Sequence, residues 1–376
     1  MPKATFFPIG NADTVLLDLI HGKKVLFDYA NTRDPDNKYD PRCDLEKELR
    51  DDLENADRDH YDVVAFTHLD KDHYQRASEF FWLEHAKKYQ GGRRIKISTL
   101  WVPAALITED GVEDDEGRII QAEARYRFKN GAGIRVFSRP DRLRKWCERN
   151  GINIEDRLGL LTDAGKVAPE FSLEADGVEF FVHSPFAKRL DDKVLVDRNE
   201  CSLVMQATFI VDGVETKMIL ASDTVHDVLA DIVNITKAKG NEERLEWDIY
   251  KLPHHCSYLS LGPEKGNDQT SPIAEAAWLY EEQQQENAII VSTSEPIPAK
   301  GSVEDKDDYP PHRQAANYYK SVVDDPDNQF LVTMQHPSKA SPRPLVIEIG
   351  VGKATVVKRA ISAAVAVTSR SAPRAG

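Results

Sequence analysis

Between Phe66 and Gln75 the chain reads FTHLDKDHYQ, which places four potential metal ligands, His68, Asp70, Asp72 and His73, within six residues. The stretch follows directly on the apolar run Asp62-Val63-Val64-Ala65-Phe66. Two imidazoles and two carboxylates this close compete for the same donors, and the acids repel, unless a cation sits among them. They are tolerated at the C-terminal end of a buried strand, where loops along one edge of a sheet converge to build a site. Layered αβ architectures provide such an edge.

With 376 residues, 41% of them hydrophobic and 30% charged, the chain suits one large globular domain or two ordinary ones. No apolar run approaches the ~18 residues of a membrane span, so no membrane partner is expected. The opening MPKATFFPIGNAD has no apolar segment followed by a small-residue cleavage site. Cys43, Cys147, Cys201 and Cys256 are scattered, which favours reduced thiols and a cytoplasmic location. A net charge of −14 argues against a generic polyanion binder. Residues 118–149 depart from this balance. Ten Lys and Arg stand there against Glu123, Asp141 and Glu148, a local charge of +7. Such a face suits a phosphate-bearing substrate or an acidic partner; a solvated helical surface laced with i,i+4 pairs is the competing explanation.

Periodicity predicts a hairpin of strands 14–20 and 24–30, a helix over 44–56, a strand over 61–66 and a helix over 76–89 stopped by Gly91-Gly92. A strand at 97–103 leads into 104–170, which reads as an inserted helical and irregular segment with helices near 119–129 and 141–149. Strands are expected again at 178–185, 202–211, 216–223 and 248–255. After a helix near 226–239 and another at 274–286 come a strand at 288–293, a helix at 311–323 and two last strands. The domain is expected to occupy 1–360, with 361–376 as a flexible tail. Three of these strands end in ligand-type residues: the opening motif, Asp223, and His254 with His255. The residue types suit zinc, manganese or iron, and the lack of a thiolate cluster argues against a closed structural zinc site.

The segment THLDKDH resembles the H-x-[HD]-x-D-H signature of the metallo-β-lactamase fold, and in particular its ComEC competence-protein-like branch. GNADTVLL resembles that branch's opening stretch, LFDYA its first acid-bearing strand end, NECSLVM (199–205) its N-x-x-S stretch, LASD (220–223) its G-D, and LPHHCS (252–257) its H-H-G-S. The resemblance covers roughly residues 4–260, outside 104–170. It implies a four-layer αββα fold and a site for two divalent metal ions, Zn²⁺ or Mn²⁺, with Asp70 in place of a histidine raising the weight of manganese. His68 and Asp70, with Asn199 near the third position, would hold the first ion. Asp72 and His73, with His254 or alternatively His255, would hold the second, and Asp223 would bridge the two. Asp13 and Asp28 would support the ligands from beneath. Asp72 would orient the hydroxide and His255 or water would protonate the leaving oxygen. His312 and Arg313 would contact substrate phosphate. The sequence departs from the family where D-H-x-G-G becomes DHYQRA, where Ser222 precedes Asp223 and where Cys256 replaces glycine.

These implications point to a metal-dependent hydrolase of phosphodiester bonds, a nuclease acting on DNA, with hydroxide held between two ions and the segment 118–149 guiding the strand. A small or cyclic-nucleotide phosphodiesterase is the alternative within the same chemistry. A degenerate module that binds a protein partner through 104–170 is the alternative outside it.

Overall fold

The computed structural model describes residues 1–187, 198–324 and 328–357. The expected tail at 361–376 lies outside the described residues.

Two sheets carry the fold. The larger has nine strands in the order β15-β14-β1-β2-β3-β4-β5-β6-β7. These are β1 (Lys3–Phe6), β2 (Val15–Asp18), β3 (Lys24–Phe27), β4 (His60–Ala65), β5 (Lys96–Pro103), β6 (Ile134–Phe137), β7 (Leu161–Thr162), β14 (Leu345–Gly350) and β15 (Lys353–Val356). The smaller has six strands in the order β13-β12-β11-β10-β9-β8. These are β8 (Val178–Ser184), β9 (Val204–Val211), β10 (Val214–Ala221), β11 (Trp247–Lys251), β12 (Gln284–Ser292) and β13 (Gln329–Val332).

Alternation along the strands explains why four layers form. In β3, Val25 and Phe27 enter the core between the sheets, whereas Leu26 faces the outer helices. In β10, Met218 and Leu220 point inward while Ile219 and Ala221 point outward, and β12 repeats this with Ile289 and Val291 against Ala288 and Ile290. Strands apolar on both faces need cover on both sides. The helices Leu45–Asn55, Asp115–Asn130 and Asp141–Arg149 cover the large sheet with Leu49, Ile120, Phe128 and Trp146. The helices His226–Lys239 and Arg313–Val322 cover the small one with Leu229, Ile232, Ala316 and Tyr319. The order αββα follows, as expected.

Direction positions the site. β3, β4, β5, β6 and β7 run parallel, and so do β10, β11, β12 and β13. Their C-terminal ends meet along one edge of the sandwich. Local departures from the sequence reading have physical reasons. The helix expected over 76–89 is confined to Ala77–Phe80, because Phe81 leaves it to bridge Ile95 and Phe80, Phe81 and Leu83 are all taken into the core. The stretch 104–170 supplies its expected helices and also β6 and β7, whose short apolar runs lengthen the large sheet. β12 begins at Gln284, so the helix expected to reach 286 ends in a wide turn at Trp278–Glu282.

Candidate metal centre

Five strand ends deliver the site. Asp28 follows β3, Thr67 and His68 follow β4, Ser222 and Asp223 follow β10, His254 and His255 follow β11, and Thr293 follows β12. The turn Lys71–Tyr74 is pinned over them by backbone hydrogen bonds from Asp13 N to Asp72 O and from Tyr29 N to His73 O, both 3.0 Å. Asp28, His254, His255 and Cys256 all sit at positive φ, between 49° and 66°. Left-handed backbone is costly for non-glycine residues and concentrates at functional sites. At Cys256, where the resembling family has glycine, φ is 66°.

Hydrogen bonds fix the orientation of three imidazoles. His73 donates from Nδ1 to Asp28 Oδ2 at 2.8 Å. His68 donates from Nδ1 to Ser222 Oγ at 3.1 Å, Ser222 donates to Thr67 Oγ1 at 2.7 Å, and Thr67 donates to Asp28 Oδ2 at 2.7 Å. Each hydroxyl donates once and accepts once, so both chains of donors end on the same carboxylate. His255 donates from Nδ1 to Thr293 O at 2.8 Å. All three rings therefore turn Nε2 toward the acids. With Nδ1 committed as donor, a neutral ring presents a lone pair there.

Asp72, His73, Asp223 and His255 each offer a ligand atom, and these atoms all lie within 4.8 Å of one another. His255 Nε2 stands 3.0 Å from Asp72 Oδ2 and 3.5 Å from Asp223 Oδ2. His73 Nε2 and Asp223 Oδ1 are 3.4 Å apart without hydrogen-bond geometry, and both remain buried and unpartnered, as does His68 Nε2. Burial alone would lower the His255 imidazole, but Asp223, Asp72 and Asp13 push it up to about 9. Burial likewise opposes charge on His73, yet Asp28, Asp223 and Asp72 hold it well above the ordinary histidine range. Asp223, whose burial favours the neutral acid, is held well below the carboxylate range by His255, His73 and His68. The arrangement demands positive charge at its centre, from protons or from a cation. Side-chain exposure is 34% for Asp72 against 5% or less for the other three, so Asp72 alone faces both the cluster and the solvent.

The other sequence-expected residues fall around this cluster. Asp70 Oδ2 is 3.3 Å from His68 Nε2, but Asp70 Oδ1 accepts from Arg198 at 2.8 Å, and these two expected ligands are joined by no third group of that cluster. Asn199 opens the turn Asn199–Cys201, and its carbonyl accepts from Ser202 Oγ at 2.9 Å. Of the two candidate histidines, His255 enters the four-group cluster and His254 does not; the reversed backbone at both residues sends consecutive rings apart, with centroids 6.5 Å from each other. Asp13 and Asp28 lie beneath, forming with His73 a second compact group. His312 is buried, accepts from Tyr258 N at 3.4 Å, and is lowered to about 4 by burial. The Arg313 guanidinium donates to Asp305 and to the carbonyls of Asn267 and Asp268, none of them a cluster residue.

Sequence reading passed over four contributors. Lys251, the last residue of β11, is buried and donates to Asp13 Oδ2 and to Ala221 O. Thr293 donates to Asp13 Oδ1 while its carbonyl holds His255. Ser222, first a departure from the family pattern, is the hydroxyl that fixes His68. Arg198 grips Asp70. A charged residue at the end of an apolar strand was the available signal for Lys251; the others carry none.

The basic segment is largely consumed by the fold. Arg127 and Arg135 are buried, the first on Glu123 and the second on Glu170. Arg125 donates to the carbonyls of Ile107 and Glu109, Arg139 pairs with Asp163, and Arg144 bridges Asp141 and Glu148. Arg118, Arg139, Arg144 and Arg149 keep exposed side chains and are ion-paired to neighbouring acids. Among the described residues, no helix is long and apolar enough to cross a membrane.

No family model matches the chain, and no curated protein matches it. Among solved structures it is similar to the metallo-β-lactamase SMB-1 bound to 2-mercaptoethanesulfonate, at 12% identity over 65% of this chain and 78% of that one, with a TM-score of 0.30. It is also similar to the class B3 di-zinc metallo-β-lactamase LRA-12 from an Alaskan soil metagenome, at 11% identity, 65% and 76% coverage and a TM-score of 0.31. A third is MIM-1 from Novosphingobium pentaromativorans, at 12% identity, 67% and 76% coverage and a TM-score of 0.29. Such low scores carry no argument; the strand order and the apolar cover on both faces of each sheet define a four-layer αββα fold.

Proposed function

We propose that the protein is a metal-dependent hydrolase of phosphodiester bonds. One observation carries this reading. Three histidines, each with Nδ1 committed to a protein acceptor, aim Nε2 at carboxylates, leaving His68 Nε2, His73 Nε2 and Asp223 Oδ1 buried without hydrogen-bond partners. Each buried unsatisfied atom costs about 1–3 kcal/mol, and divalent cations bound among them would relieve that cost. His73, His255, Asp72 and Asp223 would hold one ion; His68 and Asp70, with Asn199 as the expected third ligand and Asp223 shared, would hold a second. Ions bound there supply Lewis acidity and lower the pKa of a water ligand.

The chain's own residues supply the rest. Asp72, half open to solvent, accepts a hydrogen bond from an attacking water and keeps its lone pair aimed at the substrate. Asp28 and Thr293 keep the imidazoles in register, so nothing need reorient as the reaction proceeds. With His255 in the ligand set, protonation of the leaving oxygen falls to water. Zinc and manganese both suit the nitrogen and oxygen donors.

DNA is the first substrate to test, on the ComEC-like motifs. A small or cyclic nucleotide is the second reading, favoured by the burial of Arg127 and Arg135 in ion pairs and the surface pairing of Arg139 and Arg144 with acids, on a chain of charge −14. Protein loaded with Mn²⁺ or Zn²⁺ is expected to cleave one of the two, and Asp72→Ala/His73→Ala to lose metal and about a hundredfold or more of the rate. Steep weakening of binding with salt identifies the polymer; near-indifference identifies the small substrate. Metal-loaded protein that leaves single- and double-stranded DNA, RNA and cyclic nucleotides intact overturns the reading and favours the non-catalytic partner module.

A further inference from the structure

The carboxylate that would share a cation with His68 is already in the grip of an arginine. Arg198 Nη1 donates to Asp70 Oδ1 at 2.8 Å, while Nε and Nη2 donate to Glu109 at 3.0 and 2.5 Å. Only Asp70 Oδ2 is left facing His68, at 3.3 Å. Glu109 is itself held in place, because its carbonyl accepts from Gln121 Nε2 and Arg125 Nη2, both at 2.9 Å. Asp72 and Asp223, by contrast, are ion-paired only to histidines among the described residues. The carboxylates of the four-group cluster therefore face no arginine or lysine, whereas Asp70 carries a guanidinium on one of its two oxygens.

We propose that Arg198 is a positioning residue that makes the two cation positions unequal. Its charge on Asp70 weakens divalent binding at the His68–Asp70 position and spares the Asp72–His73–Asp223–His255 position, and Glu109 sets the strength of the effect by drawing part of the guanidinium's charge to itself. The inference rests on the reading that this centre binds divalent ions. Its physical content is the competition of a monovalent guanidinium with a metal for one carboxylate. Partners of this kind change metal affinity about 10–100-fold. A rigid fork with one arm on each acid allows the charge to be shared without movement.

The two acids on either side of the arginine give the test opposite signs. Metal-stripped protein is titrated with Zn²⁺ and with Mn²⁺ by calorimetry and by competition with a chelating dye, without substrate. Wild type is expected to bind one ion tightly and a second at least about tenfold more weakly. Arg198→Gln frees Asp70, so the second ion binds more tightly and the gap narrows. Glu109→Gln leaves the arginine's charge undivided on Asp70, so the second ion binds more weakly and the gap widens. Arg198→Lys, which keeps the charge and loses the fork, falls between wild type and Arg198→Gln, and it serves where the Gln variant melts early. Two equal sites in wild type overturn the proposal, as do Gln variants that shift the second affinity in the same direction, which is what loss of local structure produces. Wild type that binds no ion at either position defeats the functional reading itself, and this inference with it.

Discussion

Lys251 shows how much one side chain can hide. It closes an apolar strand at 3% exposure, and its ammonium sits between Asp13 and the carbonyl of Ala221 under the candidate centre. Asp13 in turn receives Thr293, whose carbonyl orients His255. Lys251→Met would leave Asp13 buried and uncompensated. The expected cost is about 3–5 kcal/mol in denaturant unfolding, with part of it recovered in Lys251→Met/Asp13→Asn, which removes both charges. The ligand-rich motif was legible because its residues are adjacent in sequence. Lys251, Arg198 and Thr293 were not, because their partners lie far along the chain, and only strand order brings them together.

At the scale of elements, periodicity found most strands and the longer helices, and failed where packing overrode it. Phe80 and Phe81 are good helix-pattern residues that one core cluster takes in succession, their rings edge to face. The helix Asp115–Asn130 was expected as a basic surface, yet one face of it is built around a buried acid. Burial alone would raise the Glu123 carboxyl, but His85, Arg127 and the backbone N–H of Glu84 hold it down to about 2. A carboxylate depressed in the folded state contributes stability above its unfolded value, near 4.5, and loses it as pH falls toward 2. Glu123→Gln is therefore expected to be less stable than wild type by about 3 kcal/mol at pH 7, with the difference shrinking as pH falls below about 4. Thermal melts of both proteins across pH 3 to 7 measure it; a difference that does not change with pH would mean that Glu123 acts through packing alone.

Seen whole, the molecule is two sheets joined by a broad apolar interface, with Trp101, Phe137, Phe171 and Phe180 in edge-on contact at its centre. The centre at one edge is the polar seam between them: Asp28, His68 and His73 come from the large sheet, Asp223, His255 and Thr293 from the small one. A ligand that binds only the folded form stabilises it by about 1.4 kcal/mol for every tenfold of free concentration above Kd. Removing metal with a chelator is thus expected to lower the melting temperature by several degrees, and Asp72→Ala/His73→Ala to be insensitive to the chelator. Equal melting with and without chelator in wild type would mean that the seam is held without an ion.

The separation of the ligands along the chain has a consequence for synthesis. Asp72 and His255 touch, yet they stand 183 positions apart in sequence. At ribosomal rates of about 5–20 residues per second, a growing chain carries its first ligand pair for roughly ten to forty seconds before the last one emerges. During that interval it can offer a passing cation only a local, incomplete grip. Loading would therefore be an event of the finished polypeptide, and tightly held metal in a preparation would count the molecules whose two halves have found each other.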